Sequence, residues 1–478
     1  MNRVSHVKQG LIMKILQRLI HVYSRVFICS VLLLLSPALL AGPDIQTWTT
    51  EKGLRVYFVE APQLPMLDMR LTFAAGSARD GEHAGLAMMT SSSMNDGAGG
   101  MSADELAETF ESVGAIYGGG SARDMAWFSL RTLTLEAEMK TALDTWLKVL
   151  GEPEFPEKEF NNARKLTLVG LQAEKQSPAA LGDKAFMQAL YGDHPYASPE
   201  NGTEDSINAL TTQQLRDFYK QYYVARNGVL ALVGALDRKQ AEALAEQVSA
   251  VLAAGERAAA LPEVQPLTEA QTIHIPFPSQ QAHIMLGQPG NKRGDDDYFS
   301  LYLGNHILGG GGFTSRLTKE IRDERGLSYS VYSYFAPMEQ LGPFQIGLQT
   351  KLSQTDEALK VVRDTLQTWR TEGPSGNELG AAQKDITGGF PLRTASNADI
   401  ISYLAMIGFY DLPLDYLDTF TGKIEALTQE QITDAFQRRL DPDKMLTVIV
   451  GGEEKTDEAQ AEATDSTESS AEAEPASE

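Results

Sequence analysis

Histidines, a single cysteine and two glycine runs are the residues of this 478-residue chain best able to do chemistry. Outside the first 41 residues the histidines are His83, His194, His274, His283 and His306, and no two lie close enough to share a helix face. Neither H-x-x-E-H nor H-E-x-x-H occurs, the spacings that bring two imidazoles to one zinc ion beside a glutamate base. A lone surface histidine is the plain reading of each. Cys29 is the only thiol, which excludes a disulfide framework and any multi-cysteine metal site. Glycine loops ahead of helices can cradle phosphate, and four glycines stand at 309–312. That run lacks the Gly-Lys-Ser/Thr ending of a phosphate loop. A flexible loop that admits a peptide and a plain packing turn both stay open for it. No Ser-His-Asp or paired-carboxylate arrangement stands out. With 41 Lys+Arg against 64 Asp+Glu the net charge is -23, which argues against nucleic acid as a partner.

The elements that must position these residues come in two similar sets. Residues 210–234 read LTTQQLRDFYKQYYVARNGVLALVG, and residues 427–451 read LTQEQITDAFQRRLDPDKMLTVIVG. They align without a gap. Each opens on a capping box, Thr211 with Gln214 and Thr428 with Gln431. Each continues as an amphipathic helix, a short loop and an apolar strand, at 229–233 and 446–450. A fainter echo pairs 159–165 with 378–384. Strands are expected at 54–60, 66–74 and 125–135. Ser102 and Glu105 form another capping box, heading a helix that Gly114 ends. This pattern predicts an α+β protein of two homologous domains, each a largely antiparallel sheet with helices packed on one side. The boundaries read as 42–252 and 269–452, joined by an Ala/Glu/Pro-rich linker at 253–268.

The ends differ from the body. The first 41 residues carry five basic residues and no acidic one, then an apolar run closing on Ala38-Leu-Leu-Ala41. This is the pattern of a cleaved signal peptide at 1–41, with a periplasmic address. The run is shorter than the roughly 20 residues a membrane anchor needs, and no later stretch could span a bilayer. Residues 453–478 hold ten acids and one lysine, which predicts a disordered acidic tail.

Several stretches resemble the insulinase/pitrilysin-type zinc metallopeptidase family, especially its members similar to the mitochondrial processing peptidase. They are Gly53-Leu-Arg-Val-Tyr57, Gly76-Ser-Ala-Arg-Asp80, Ala84-Gly-Leu-Ala87, Gly192-Asp-His-Pro-Tyr196, the 210–234 block and Gly326-Leu-Ser-Tyr329. They span almost the whole body. In that family the H-x-x-E-H motif directly follows the Gly-Leu-Ala text. Here Met88 and Ser92 stand in the histidine places and Ser91 in the glutamate place. Around 167–170, where the resemblance puts a third ligand, there is no carboxylate. A thioether and two hydroxyls are poor zinc ligands. No metal or other cofactor is therefore expected in this chain.

The resemblance also implies an Arg and a Tyr in the second half that hold the scissile carbonyl oxygen and the substrate backbone. Those positions are Arg322 and Tyr329, and both side chains donate hydrogen bonds to an oxygen on which charge develops. Locally, a helix capped by Thr314 or Ser315 would end at Gly326, and a strand over 327–335 would follow. A cation at a helix C-terminus and a tyrosine in a strand have structural uses too. The resemblance further implies an edge strand at Gly118, Gly119, Gly120, Ser121 and Ala122 that pairs with a peptide substrate. In the flexible-loop reading of the glycine run, Gly310 and Gly311 are candidate substrate-binding residues. The expected role is a metal-free subunit of a heterodimeric peptidase, with zinc carried by a homologous partner. The alternative is a non-enzymatic peptide-binding or scaffold protein of the same fold.

Overall fold

A computed structural model describes residues 42–452; the signal peptide and the acidic tail read from the sequence lie outside the described residues. In the first half, Gln46–Thr49 (β1), Arg55–Glu60 (β2) and Met66–Phe73 (β3) come first. Two short strands, Gly97–Ala98 (β4) and Met101–Ser102 (β5), form a small hairpin. Ile116–Ser121 (β6), Ala126–Leu133 (β7) and Gly228–Gly234 (β8) complete a six-stranded sheet in the order β1-β2-β8-β3-β7-β6. The second half supplies Gln271–Ile275 (β9), Gln281–Pro289 (β10), Val331–Phe335 (β11), Pro343–Lys351 (β12) and Leu446–Val450 (β13). Their order is β11-β12-β10-β13-β9.

The wiring of the two sheets is the same. β9, β10, β11, β12 and β13 repeat β2, β3, β6, β7 and β8. Only β2 with β8 and β13 with β9 run parallel; the remaining pairs are antiparallel. The capping boxes at Ser102, Thr211 and Thr428 all form, each giving its helix two satisfied backbone donors. Gly114 takes a left-handed φ of 64° just past the helix Ala103–Ser112.

The strand period of two sends side chains to both faces of each sheet, and both faces are covered. Along β2, Val56 and Phe58 pack on the first half's own helices with Trp146, Phe160 and Leu215. Tyr57 and Val59 face the other way. They meet Ile401, Leu404 and Ala405 of the helix Asn397–Phe409, which belongs to the second half. The second sheet mirrors this. Ile284 and Leu286 pack with its own Val362, Trp369 and Phe436. Met285, Val448 and Val450 pack on Phe186 and Leu190 of the helix Pro178–Tyr191 from the first half. Each half thus lends the other a helix.

Glycine permits the close approach in both exchanges. A Cβ on Gly182 would lie 2.7 Å from Met285, and one on Gly408 would lie 2.6 Å from both Tyr57 and Val229. Among the described residues, 45–452 form one compact unit. The 253–268 segment has no helix or strand, yet its own Leu261 and Val264 are buried. Among the described residues no helix is long and apolar enough to cross a membrane.

Candidate functional site

In the first half the site forms around the helix Leu86–Ser93. Gly85, at φ 88°, turns the chain into it. Asp80 closes its N-terminus: its two carboxylate oxygens accept from the Gly85 and Ala87 amides, each at 2.8 Å. Burial outweighs those two donors and raises the Asp80 carboxyl to about 7. Met88 is half-buried, Ser91 is buried and Ser92 is exposed. Both serine hydroxyls turn back onto their own helix. Ser91 donates to the Met88 carbonyl at 3.0 Å and Ser92 to the Met89 carbonyl at 3.3 Å.

The helix Glu157–Glu174 packs alongside, where the resemblance puts a third ligand. Its Thr167 hydroxyl meets the Met89 sulfur at 3.5 Å. Thioethers and hydroxyls already bonded to carbonyls are a donor set that does not fit zinc. Among the described residues no three His, Cys, Asp or Glu side chains gather into a metal site.

β6 lies against the 86–93 helix and forms the outer edge of the first sheet. Gly118, Gly119, Gly120 and Ser121 all pair with β7, which leaves the other side of the strand open. Ala122 falls one residue beyond the strand. Its amide donates to the Met125 carbonyl at 2.7 Å, and its carbonyl accepts from Ser77 at 3.0 Å. Of the five residues, Ala122 is the one already spent on the turn.

In the second half Arg322 and Tyr329 come together. The Arg322 guanidinium lies 5.1 Å from the centroid of the Tyr329 ring and 4.6 Å from that of Phe313. Tyr329 is 85% exposed and Phe313 75%, so the cation sits between two rings at the surface. Arg322 has no carboxylate within ion-pair distance among the described residues, which leaves its N–H groups available. Gly326, at φ 63°, makes the reversal between them. The Leu327 amide reaches back to the Ile321 carbonyl at 2.9 Å. Thr350 holds the Leu327 carbonyl at 2.6 Å, which anchors the loop while Tyr329 projects.

The expected helix forms, and over Thr318–Asp323 it winds as a π-helix, with the Glu324 amide bonding back to Lys319 at 3.0 Å. Two local expectations are corrected. Neither Thr314 nor Ser315 caps it: their hydroxyls donate to the carbonyls of Gly311 and Gly312 instead. The strand begins at Val331, so Tyr329 lies in the approach to β11 and not within it. The reason is the anchored loop: Ser328 donates to the Ser330 carbonyl at 2.7 Å, a local bond that competes with sheet pairing.

The glycine run is closely packed at one end and open at the other. A Cβ on Gly309 would meet Ser333 at 2.3 Å, and on Gly311 the His306 carbonyl at 2.6 Å. Gly310 is exposed. Arg316 fixes the segment that follows, with two bonds of 2.7 Å to the Glu378 carboxylate. That pairing holds Glu378 down at about 2.

Three of the five histidines are not lone surface residues: His283 is half-buried in β10 and lies 3.1 Å from Gln349, and His306 and His194 are tied down more firmly. His306 sits 3.2 Å from Asp385. His194 accepts from the Tyr196 amide at 3.1 Å and contacts the Pro262 carbonyl at 2.9 Å. Burial lowers both below the usual histidine range. Sequence reasoning also missed Asp124. This buried carboxylate accepts from the Tyr196 hydroxyl at 2.6 Å and the Glu339 amide at 2.7 Å, joining the two halves. Arg123-Asp124 before a strand gives no signal of a partner so far along the chain.

Comparison with known proteins places this geometry. The insulinase profile (peptidase family M16) matches residues 55–204, and the profile described as the peptidase M16 inactive domain matches 209–386. A crystal structure described as a peptidase M16 inactive domain from Pseudomonas fluorescens is 43% identical, with a TM-score of 0.83; the match covers 85% of this chain and 98% of that one. An uncharacterized zinc protease of Streptomyces coelicolor is 29% identical over 60% of this chain and 63% of its own length. A Helicobacter pylori protein named non-peptidase homolog YmxG is 24% identical over 84% of this chain and 92% of its own. With both profiles matched in order on two equivalent half-structures, the chain belongs to the insulinase family of peptidases, family M16.

Proposed function

We propose that this chain is the metal-free subunit of a heterodimeric periplasmic zinc metalloendopeptidase. Its partner is a homologous subunit that carries the zinc and the general base. This chain contributes Arg322 and Tyr329 as donors to the scissile carbonyl oxygen, and a wall of the space that receives unfolded peptides. The single observation that carries the reading is the placement of Arg322 over Tyr329 at an exposed loop, with its N–H groups unclaimed by any carboxylate among the described residues. A guanidinium and a phenol held at one spot stabilise an oxyanion only where a second group attacks the carbonyl. The helix at 86–93 lacks the residues for that attack, so the reading assigns it to the other subunit.

A second reading is favoured by the relative named a non-peptidase homolog. In it the chain binds peptides or organises other proteins and takes no part in cleavage. Both readings are separated by mixing the purified chain with a similar secreted protein that has an intact H-x-x-E-H motif. The subunit reading expects peptide cleavage to need both chains, with Arg322→Ala and Tyr329→Phe each lowering kcat. Removing one oxyanion donor costs about 100-fold or more. Full activity of the other protein alone, unchanged by either variant, would leave the scaffold reading standing.

A further inference from the structure

Where the two halves meet, beside residues 257–260 of the connecting segment, lies a cavity of about 350 Å³. Four arginines line it: Arg55 of β2, Arg79, Arg257 and Arg293. Two carboxylates face them, Glu339 and Asp411. Asp411 pairs with Arg55 and, at 2.9 Å, with Arg257. Glu339 reaches Arg79 only at 3.5 Å. Arg293 has no carboxylate partner among the described residues, and its guanidinium lies 5.5 Å from the Tyr410 ring centroid. The lining therefore carries an excess of positive charge inside a chain whose net charge is -23.

The hydrogen-bond inventory points the same way. The Nε–H groups of Arg55, Arg79 and Arg293 are all buried, and none has an acceptor. Arg70, Arg164 and Arg370 leave the same group unpaired elsewhere, so what marks this cavity is Arg293, whose guanidinium makes no hydrogen bond or ion pair among the described residues. The fork of a guanidinium matches the oxygens of a carboxylate or a phosphate. Asp411, which orients two of the arginines, holds a left-handed φ of 52° that a non-glycine residue rarely adopts.

We propose that this cavity binds a small doubly charged oxyanion, phosphate or a dicarboxylate. The bound anion would tie together β2 of the first half, the connecting segment through Arg257 and the second half through Arg293. None of the lining residues belongs to the site at Arg322 and Tyr329, so the proposal stands apart from the peptidase reading.

The test is isothermal titration of the purified protein with inorganic phosphate and, separately, with succinate, each against chloride at equal ionic strength. One site per chain is expected for phosphate or for succinate, and the tighter of the two identifies the source of the charge. Arg293→Gln should weaken that binding about tenfold or more, because a charge-assisted bond is lost. Arg293→Lys should keep part of it. Arg257→Gln, on the exposed connecting segment, should weaken binding without affecting the fold and carries the test if Arg293→Gln does not fold. Heats for both anions no greater than for chloride would overturn the proposal. So would Arg293→Gln or Arg257→Gln protein that folds and binds as tightly as the unmodified chain.

Discussion

The hydroxyl of Tyr410 donates to Asp124 at 2.9 Å, across 286 positions of the chain. Asp124 accepts two further bonds, from Tyr196 and from the Glu339 amide, so one buried carboxylate receives donors from both halves. Asp124→Ala strands all three donors. The expected loss is about 3–5 kcal/mol in urea unfolding, whereas Tyr410→Phe should lose about 1–2 kcal/mol. Equal and negligible losses for the two variants would show that the halves are held by apolar packing alone.

Acid should weaken the protein through named ion pairs. Two bonds from Arg438 and one from Arg439 hold Asp297 down at about 2, and Arg316 does the same for Glu378. Both carboxyls titrate near 4 when unfolded. Their contribution is present above pH 4 and is lost as pH falls towards 2. Asp297→Asn and Glu378→Gln should each flatten that limb of a plot of urea midpoint against pH.

Asp80 acts in the opposite direction. It keeps its proton up to about pH 7 in the folded chain, whereas the unfolded group releases it near 4. Its contribution to stability is therefore present at low pH and declines as pH rises from about 4 to about 7. Asp80→Asn should remove that decline while keeping an acceptor for the 86–93 helix. A profile between pH 4 and 7 identical to the unmodified protein would exclude Asp80 as its source.

Glycines in equivalent-looking strands should respond differently to alanine. A Cβ on Gly287 in β10 would lie 2.0 Å from the Phe344 carbonyl oxygen and 2.9 Å from Phe186 of the exchanged helix. Gly287→Ala should cost roughly 3 kcal/mol or prevent folding. On the edge strand β6, a Cβ at Gly118 meets only the Ser129 hydroxyl, at 3.1 Å. Gly118→Ala should change stability by less than about 0.5 kcal/mol. Thermal melts of the two variants suffice to check the contrast.

Gly326→Ala probes the reversal between Arg322 and Tyr329 without adding a clash, since no atom lies within 4 Å of the new Cβ. The left-handed φ should make it cost about 1 kcal/mol. If the pair acts on substrate, activity of the assembled peptidase should fall further than that stability loss explains. A variant with normal turnover would uncouple the reversal from the chemistry.

The repeated capping boxes and the paired helix–strand blocks were legible because each is a local pattern of a few residues. Ser102, Thr211 and Thr428 all act as the sequence predicts. The lack of a histidine pair at Met88 to Ser92 was equally plain, because ligand spacing on a helix is local. What the sequence did not disclose depends on distant partners. Nothing around Phe186 or Leu404 says that each packs on the other half's sheet. Arg55, Arg257 and Arg293 lie far apart in sequence and meet only through that exchange. The shortened strand before Val331 reflects side-chain bonds at Ser328 and Thr350 that a propensity cannot anticipate.

Lending helices between halves also dictates when folding can finish. Strands β2, β3 and β8 are complete once residue 234 has been made, but their second face is covered only by Asn397–Phe409. During synthesis the first sheet must wait, with Tyr57, Val59 and Val233 uncovered, until most of the chain has left the ribosome. The first half released alone would keep an apolar face that its own sequence cannot cover.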